Sequence, residues 1–91
     1  MKKQKKNNAP QEIEKQIAVI TQSESDFKRW VDEFGNEKRL KGAKLVMVSK
    51  IEDAIGREFI RVEFGYNFSK ISFDVISFTM DRLRLEDSSS I

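Results

Sequence analysis

The chain contains no cysteine and no histidine among its 91 residues. Without cysteine there is neither a disulfide framework nor a thiolate nucleophile, which suits a reducing compartment such as the cytoplasm. Without histidine the commonest general base is missing, and zinc sites built from cysteine and histidine are excluded. The serines have no histidine to activate them. We therefore expect a protein that is not an enzyme and that needs no cofactor.

Long apolar runs are also missing. No run approaches the roughly 20 residues that a membrane-spanning helix requires, and the first lysines are followed by no apolar segment of the kind that a secretory signal peptide carries. The apolar fraction of 38% is sufficient for one small core, and 35% charged residues favour a soluble surface. We expect a cytoplasmic protein with one domain at residues 12–87 and no membrane contact.

The excess of positive over negative charge lies in one short stretch. The formal net charge is +2, and four lysines precede the first acidic residue, Glu12, so the remainder of the chain is mildly acidic. Residues 1–11 contain little that could be buried and are predicted to be a disordered basic tail, as residues 88–91 are predicted to fray. The tail could contact phosphates or serve only for solubility. Its lysines are Lys2, Lys3, Lys5 and Lys6.

A strand and a helix are predicted in the first half of the chain. Residues 17–21 contain the β-branched apolar residues Ile17, Val19 and Ile20, which favour a buried strand. Ser23 stands where a helix cap is expected, and Gly35 and Asn36 are residues that tolerate a left-handed helix end. Between them, four apolar residues at helical spacing form one stripe: Phe27, Trp30, Val31 and Phe34. Trp30 is therefore predicted to be a core residue rather than a platform for a base.

Two further strands are predicted at residues 44–49 and 59–65, joined by a short polar turn. The run from Leu45 to Val48 is apolar throughout, which is typical of a strand covered on both faces, so we expect this strand to be central. The later strand alternates, with Ile60, Val62 and Phe64 on one face, and is expected nearer an edge. An unpaired edge leaves a monomer and a homodimer both open.

The last third of the chain fits two structures. Helical spacing relates Ile71, Val75 and Phe78, whereas a period of two relates Ile71, Phe73 and Val75. We favour a helix over residues 72–85, giving an α/β fold with a three-stranded sheet and two covering helices in the order β-α-β-β-α. A strand there would instead give an α+β fold, with one helix on an antiparallel meander.

The strand-helix-strand order favours a right-handed crossover and therefore parallel first and second strands. Ligands of such sheets bind beyond the carboxyl ends of the strands. These ends are residues 21–25, 49–53 and 65–68. The acidic pair Glu52 and Asp53 at this rim could hold Mg²⁺ or could form only a solvated turn.

Several segments resemble a loose group of small phage-encoded α/β proteins, similar to a pared-down nucleotide-binding or helicase-type half domain. The segments are residues 18–21, the helix with Phe27 and Trp30, residues 46–48, and residues 52–59 followed by Val62 and Gly65. The resemblance implies Rossmann-like layering and a viral origin, with the host cytoplasm as location. The chain departs from nucleotide-hydrolysing proteins, because its glycines nowhere give the phosphate-binding P-loop pattern.

The function predicted from these patterns is that of a small regulatory protein that binds a protein partner. Tyr66, Asn67 and Phe68 place aromatic and amide groups at a strand end, where they could contact a partner or form a packed turn. Arg57 beside Gly56 could clamp a carboxylate or phosphate, although pairing with Glu58 or Glu52 would also explain it.

The alternative function is that of an accessory protein that binds nucleic acid. The lysine tail would contact phosphates together with the loop residues Lys38, Arg39 and Lys41. This alternative predicts an affinity that falls steeply with salt.

Overall fold

Strand β1 (Gln16–Ile20) lies at the centre of a three-stranded sheet, between β2 (Lys44–Val48) and β3 (Arg61–Phe64). Both neighbours run parallel to it, in registers that pair Ile17 with Leu45 and with Arg61. The computed structural model describes residues 14–84. The sequence predicted that β2 is the central strand and that β3 lies next to it after a short polar turn. Both predictions are wrong, because β1 lies between the two strands. Four consecutive residues of β1 are fully buried, whereas Leu45 and Met47 of β2 remain partly exposed.

Two helices complete the α/β fold, α1 (Glu24–Phe34) and α2 (Phe73–Asp81). Short 3-10 turns lie at Lys38–Leu40, Ile51–Asp53 and Phe68–Lys70. The predicted order β-α-β-β-α is confirmed, and the antiparallel meander is excluded because all three strands are parallel. The predicted basic tail at residues 1–11 and the predicted frayed end at residues 88–91 lie outside the described residues.

Helix α1 covers one face of the sheet as its apolar spacing predicts. The Oγ of Ser23 accepts a hydrogen bond from the Asp26 N–H at 3.2 Å, which caps the first turn. Trp30 is buried against Ile17 and Val19 of β1. Gly35 ends the helix with a φ of −62°, so the predicted left-handed ending is wrong, and its N–H donates to the Val31 carbonyl.

The opposite face is covered by α2 and by the connection from β2 to β3. Phe59, in that connection, is fully buried with Ala18 and Ile20 of β1. Val75 of α2 packs in the same cluster, and the Ser72 hydroxyl accepts a hydrogen bond from its N–H. The predicted helix therefore exists, although it is shorter than residues 72–85 at both ends.

Strand β3 is shorter and less regular than its alternation predicts. The expected common face of Ile60, Val62 and Phe64 is wrong, because Ile60 packs on the α1 side and Val62 on the α2 side. Ile60 lies at a bend before the strand begins. Just before the strand, Phe59 donates its N–H to the Arg82 carbonyl, and the Phe59 carbonyl accepts a hydrogen bond from the Arg84 N–H. The predicted edge position of this strand is confirmed.

Candidate binding surfaces at the two ends of the sheet

From β1 the chain continues to β2 on one side of it, and β3 is then added on the other side. Ligands of such sheets usually bind at this switch point, beyond the carboxyl ends of the two strands, which here are β1 and β3. Here the two ends are packed against each other. Gly65 donates its N–H to the Ile20 carbonyl at 2.8 Å. A side chain at Gly65 would lie 2.3 Å from the Thr21 methyl group, so glycine permits this close approach. Farther out, the Asn67 side-chain amide donates to the Asp26 carboxylate at 2.9 Å and bridges the crevice.

Two of the three predicted partner residues at this end are bound to α1. The Tyr66 hydroxyl donates a hydrogen bond to the Glu33 carboxylate, and the Arg29 guanidinium lies 4.1 Å from the Tyr66 ring centroid. The bond to Glu33 raises the pKa of the Tyr66 hydroxyl, with desolvation acting in the same direction. Asn67 adopts a left-handed φ of 60° and contacts Asp26. These contacts fix the turn after β3 on the start and the outer face of α1.

Phe68 is the large apolar residue among the predicted partner residues, and 41% of its surface is exposed. Its ring centroid lies 5.1 Å from that of Phe64, the last residue of β3, which is 46% exposed. Phe73 follows at the first position of α2 and is 79% exposed. Phe64 and Phe68 are in ring contact, Phe73 lies at the same end of the domain, and we call these three residues the aromatic surface. Sequence reasoning missed Phe64 and Phe73, although Phe73 follows the Ser72 cap directly and lies away from the buried residues Val75 and Thr79.

Arg57 lies at the opposite, amino end of the sheet. Its predicted ion pair with Glu58 or Glu52 is not formed; Nη1 donates instead to the side-chain oxygen of Gln16 at 2.7 Å. Glu58 pairs with Arg84 at 2.6 Å. Arg57 lines a cavity of about 720 Å³ with Arg82 and Arg84. Arg57 is thus separated from the three other predicted partner residues, which lie beyond the carboxyl ends of the strands.

The predicted nucleic-acid loop is also at the amino end. Arg39 donates from Nε to the Glu63 carboxylate at 2.9 Å and also contacts Glu37. The bond from Arg39 lowers the pKa of the Glu63 carboxyl below its usual value, against the opposing effect of partial burial. Arg39 is therefore occupied by carboxylates, whereas Lys38 and Lys41 are exposed on either side of buried Leu40. Lys2, Lys3, Lys5 and Lys6 lie outside the described residues.

Charge is distributed unequally between the two ends of the sheet. Basic residues outnumber acidic ones at the amino end, where the basic side chains are Lys15, Lys38, Arg39, Lys41, Lys44, Arg57, Arg61, Arg82 and Arg84 and the acidic ones Glu14, Glu37, Glu58, Glu63 and Asp81. The carboxyl end has the opposite balance, with Glu24, Asp26, Glu33, Glu52, Asp53 and Asp74 against Arg29, Lys50 and Lys70. The amino end of the sheet therefore attracts negative charge, and the carboxyl end attracts positive charge.

Asp53, for which the sequence left Mg²⁺ binding and a solvated turn both open, has a structural role. Its Oδ2 accepts hydrogen bonds from the N–H groups of Ser49 at 3.0 Å and Lys50 at 3.3 Å, which closes the turn after β2. Within residues 14–84, no three acidic side chains are grouped so that they could hold a metal ion.

Comparisons with protein-family models, curated proteins and solved structures give no match for this chain. The resemblance to small phage-encoded proteins therefore stays a prediction. In the part of the chain that the structure describes, neither helix has the length and apolar character needed to cross a membrane.

Proposed function

We propose that this protein is a small, non-enzymatic regulatory module that binds a protein partner through the aromatic surface. The observation that carries this proposal is the exposure of Phe64, Phe68 and Phe73 at one end of the domain. Single exposed apolar residues are common, but neighbouring large ones mark interaction sites. Aromatic residues also supply much of the binding energy in protein interfaces.

The position of the aromatic surface favours an extended segment as the partner. The Gly65 N–H points toward β1, so alternation along the strand directs the backbone groups of Phe64 toward the outer edge of β3. Among residues 14–84, no backbone group pairs with Phe64 on that side. An extended peptide can add to such an edge through its own backbone, while its apolar side chains pack on exposed rings.

The surrounding charge narrows the chemistry of the partner further. Asp74 follows Phe73 directly, and Asp26 lies beside Asn67 at the same end. A partner segment with basic residues next to its apolar ones would meet complementary charge here. The proposed partner is therefore a protein that presents an apolar, basic-flanked extended segment.

Site-specific photo-crosslinking tests this proposal. Phe73 is replaced by p-benzoylphenylalanine, which keeps an aromatic group at the most exposed position of the surface, and the chain is irradiated in extract from its source cells. The matched control carries the same photoreactive residue at Lys28, on the outer face of α1. We expect a protein that crosslinks at position 73 but not at position 28.

A competition experiment distinguishes specific binding at the aromatic surface from nonspecific crosslinking. Excess unlabelled chain should abolish the crosslink at position 73, whereas a competitor carrying Phe64→Ser and Phe68→Ser should not. Fluorescence of the buried Trp30 verifies that this competitor is folded. Equal competition by both chains, or the same crosslinked protein at positions 28 and 73, would count against the aromatic surface. A crosslink between two copies of the chain would assign the surface to a homodimer instead.

Nucleic-acid binding is the second candidate function, and the excess of basic residues at the amino end favours it. Exposed Lys38 and Lys41 would contact phosphates there, and in the sequence the four tail lysines precede β1. The test is fluorescence anisotropy of labelled single- and double-stranded oligonucleotides at low and physiological salt. Lys38→Gln with Lys41→Gln should weaken binding, while the equal charge change Lys50→Gln with Lys70→Gln at the opposite end should not. Equal effects of the two pairs would refute a basic-end site.

A further inference from the structure

A cavity at the amino end of the sheet is lined by three guanidinium groups. It has a volume of about 720 Å³, and Arg57, Arg82 and Arg84 reach it from the segment before β3 and from the segment after α2. Pairing of Phe59 with Arg82 and Arg84 through the backbone holds these two segments together. The wall that carries the arginines is therefore attached to the buried core through Phe59, which is fully buried.

Two of the three arginines are not neutralised by a carboxylate within residues 14–84. Arg57 donates to the neutral Gln16 amide at 2.7 Å. Arg82 lies over the Phe78 ring at 4.3 Å, and its buried Nε has no hydrogen-bond partner in the described part of the chain. Buried donors without a partner are rare in proteins, and each needs an explanation such as a bound water or ion. The enclosed Nε is not reachable from the cavity, so an anion there would accept from the Nη groups of Arg82.

Arg84 differs from the other two because its Nη1 already pairs with Glu58 at 2.6 Å. Glu14 and Asp81 also line the cavity. The lining therefore offers cationic donors for an anion together with carboxylate oxygens that can accept from hydroxyl or amino groups. A bare inorganic anion would use only the first set, and the cavity is as large as those that hold complete small ligands.

We infer that this cavity binds a nucleotide-sized phosphate ester, with Arg57 and Arg82 on the phosphate and the carboxylates on sugar or base donors. Guanidinium groups bind phosphate oxygens bidentately, which favours arginine over lysine for this role. The same chemistry could be presented by a free mononucleotide or by one nucleotide of a strand. This inference rests on the cavity and on neither function proposed above. It also differs from the rim predicted from the sequence, which lies at the opposite end of the sheet.

Isothermal titration calorimetry on the full chain tests the site with three probes: inorganic phosphate, each of the four nucleoside 5′-monophosphates, and a 5′-phosphorylated ten-residue oligothymidylate. We expect a nucleotide or the oligonucleotide to bind at least tenfold more tightly than inorganic phosphate. Arg57→Gln and Arg82→Gln should each weaken this binding at least tenfold. The matched control is Arg61→Gln, which removes a guanidinium from the same end that pairs with Glu63 outside the cavity.

The comparison among probes identifies the source of the phosphate. Binding of a mononucleotide assigns the cavity to a free nucleotide, and binding of the oligonucleotide alone assigns it to a strand. The inference is overturned if none of the probes binds, or if inorganic phosphate binds as tightly as the esters. It is also overturned if Arg61→Gln weakens binding as much as Arg57→Gln. Because Arg82 packs on Phe78, Arg57→Gln keeps the test valid even if the Arg82 variant does not fold.

Discussion

Replacing Gly65 by alanine should destabilise the domain because a methyl group has no space at this position. The new Cβ would lie 2.3 Å from Cγ2 of Thr21, 3.1 Å from Cγ1 of Val19 and 3.3 Å from the Ile20 carbonyl oxygen. Thr21, Val19 and Ile20 are fully buried, so none of them can turn outward. Atoms in carbon–carbon contact are normally about 3.5–4.0 Å apart. Thr21 or β3 must therefore shift by more than one ångström.

The expected cost follows from two opposing effects. Forcing an extra carbon into a packed core costs about 1–3 kcal/mol. Alanine also restricts the unfolded chain, which returns about 0.4–1 kcal/mol when the native backbone conformation is allowed. Gly65 has no left-handed φ, so alanine meets no backbone strain there. The net loss in the free energy of unfolding should be about 1–2 kcal/mol.

Urea denaturation followed by tryptophan fluorescence measures this loss directly, because Trp30 is the single tryptophan and is buried. Thr21→Ser removes the methyl group that the new Cβ would strike. In the Gly65→Ala background this second change should recover about 1 kcal/mol, whereas in the parent chain it should cost about 1 kcal/mol through the lost methyl group. The matched control is Gly56→Ala, whose Cβ meets nothing within 4 Å.

Gly56 has a φ of +77°, so alanine there should destabilise the domain by about 1–2 kcal/mol through backbone strain alone. Thr21→Ser should not relieve that loss. If Gly65→Ala leaves stability unchanged, or if Thr21→Ser has the same effect in both glycine variants, the close contact between the ends of β1 and β3 does not limit packing. Either result would refute the reasoning.

Three further predictions follow from single contacts. Absorbance at 295 nm should place the pKa of Tyr66, the single tyrosine, above its usual value near 10, and Glu33→Gln should lower it because a neutral amide replaces the charged carboxylate that accepts from the hydroxyl. Thr21→Val should raise the free energy of unfolding by about 1 kcal/mol in urea denaturation, because it removes a buried hydroxyl without a partner in residues 14–84. The lowered pKa of Glu63 should stabilise the domain at neutral pH, and this contribution should disappear as the pH falls through that pKa. Arg39→Gln should therefore reduce the part of the stability that is lost in acid.

Each of these predictions has an outcome that would contradict it. Asp32→Asn changes the charge next to Glu33 without touching the tyrosine hydroxyl, so an equal change of the tyrosine pKa would exclude the specific hydrogen bond. A Thr21→Val variant that is less stable than the parent would show that the hydroxyl has a partner. For the acid profile, Arg84→Gln removes a more exposed ion pair, and an effect equal to that of Arg39→Gln would contradict the assignment to Glu63.

Local patterns predicted the elements of this fold better than their arrangement. The cap at Ser23 and the position of Trp30 follow from spacing within one helix, so they could be read from the sequence. The order of the strands depends on contacts between distant segments. Residues 17–21 and 45–48 are both short apolar runs, and nothing within either run decides which one lies in the middle.

The candidate surfaces could be predicted only in part for the same reason. A strand end with Phe68 indicated an exposed aromatic group, which the structure bears out. The ring contact with Phe64 depends on the conformation of the turn between the two residues, and the cavity at Arg82 depends on tertiary packing. Arg39 resembled a free cation in the sequence, but its carboxylate partner Glu63 lies on a strand that begins far along the chain.

The central position of β1 also determines when this protein can fold during synthesis. Among the strands of residues 14–84, β1 leaves the ribosome first, yet the partners of its Ile17, Leu45 and Arg61, are translated much later. Until β3 has emerged, β1 can bury one edge at most, and its apolar residues remain available to chaperones or to other nascent chains. A pause in translation before β3 should therefore prolong that exposure, whereas a pause after β3 should have little effect.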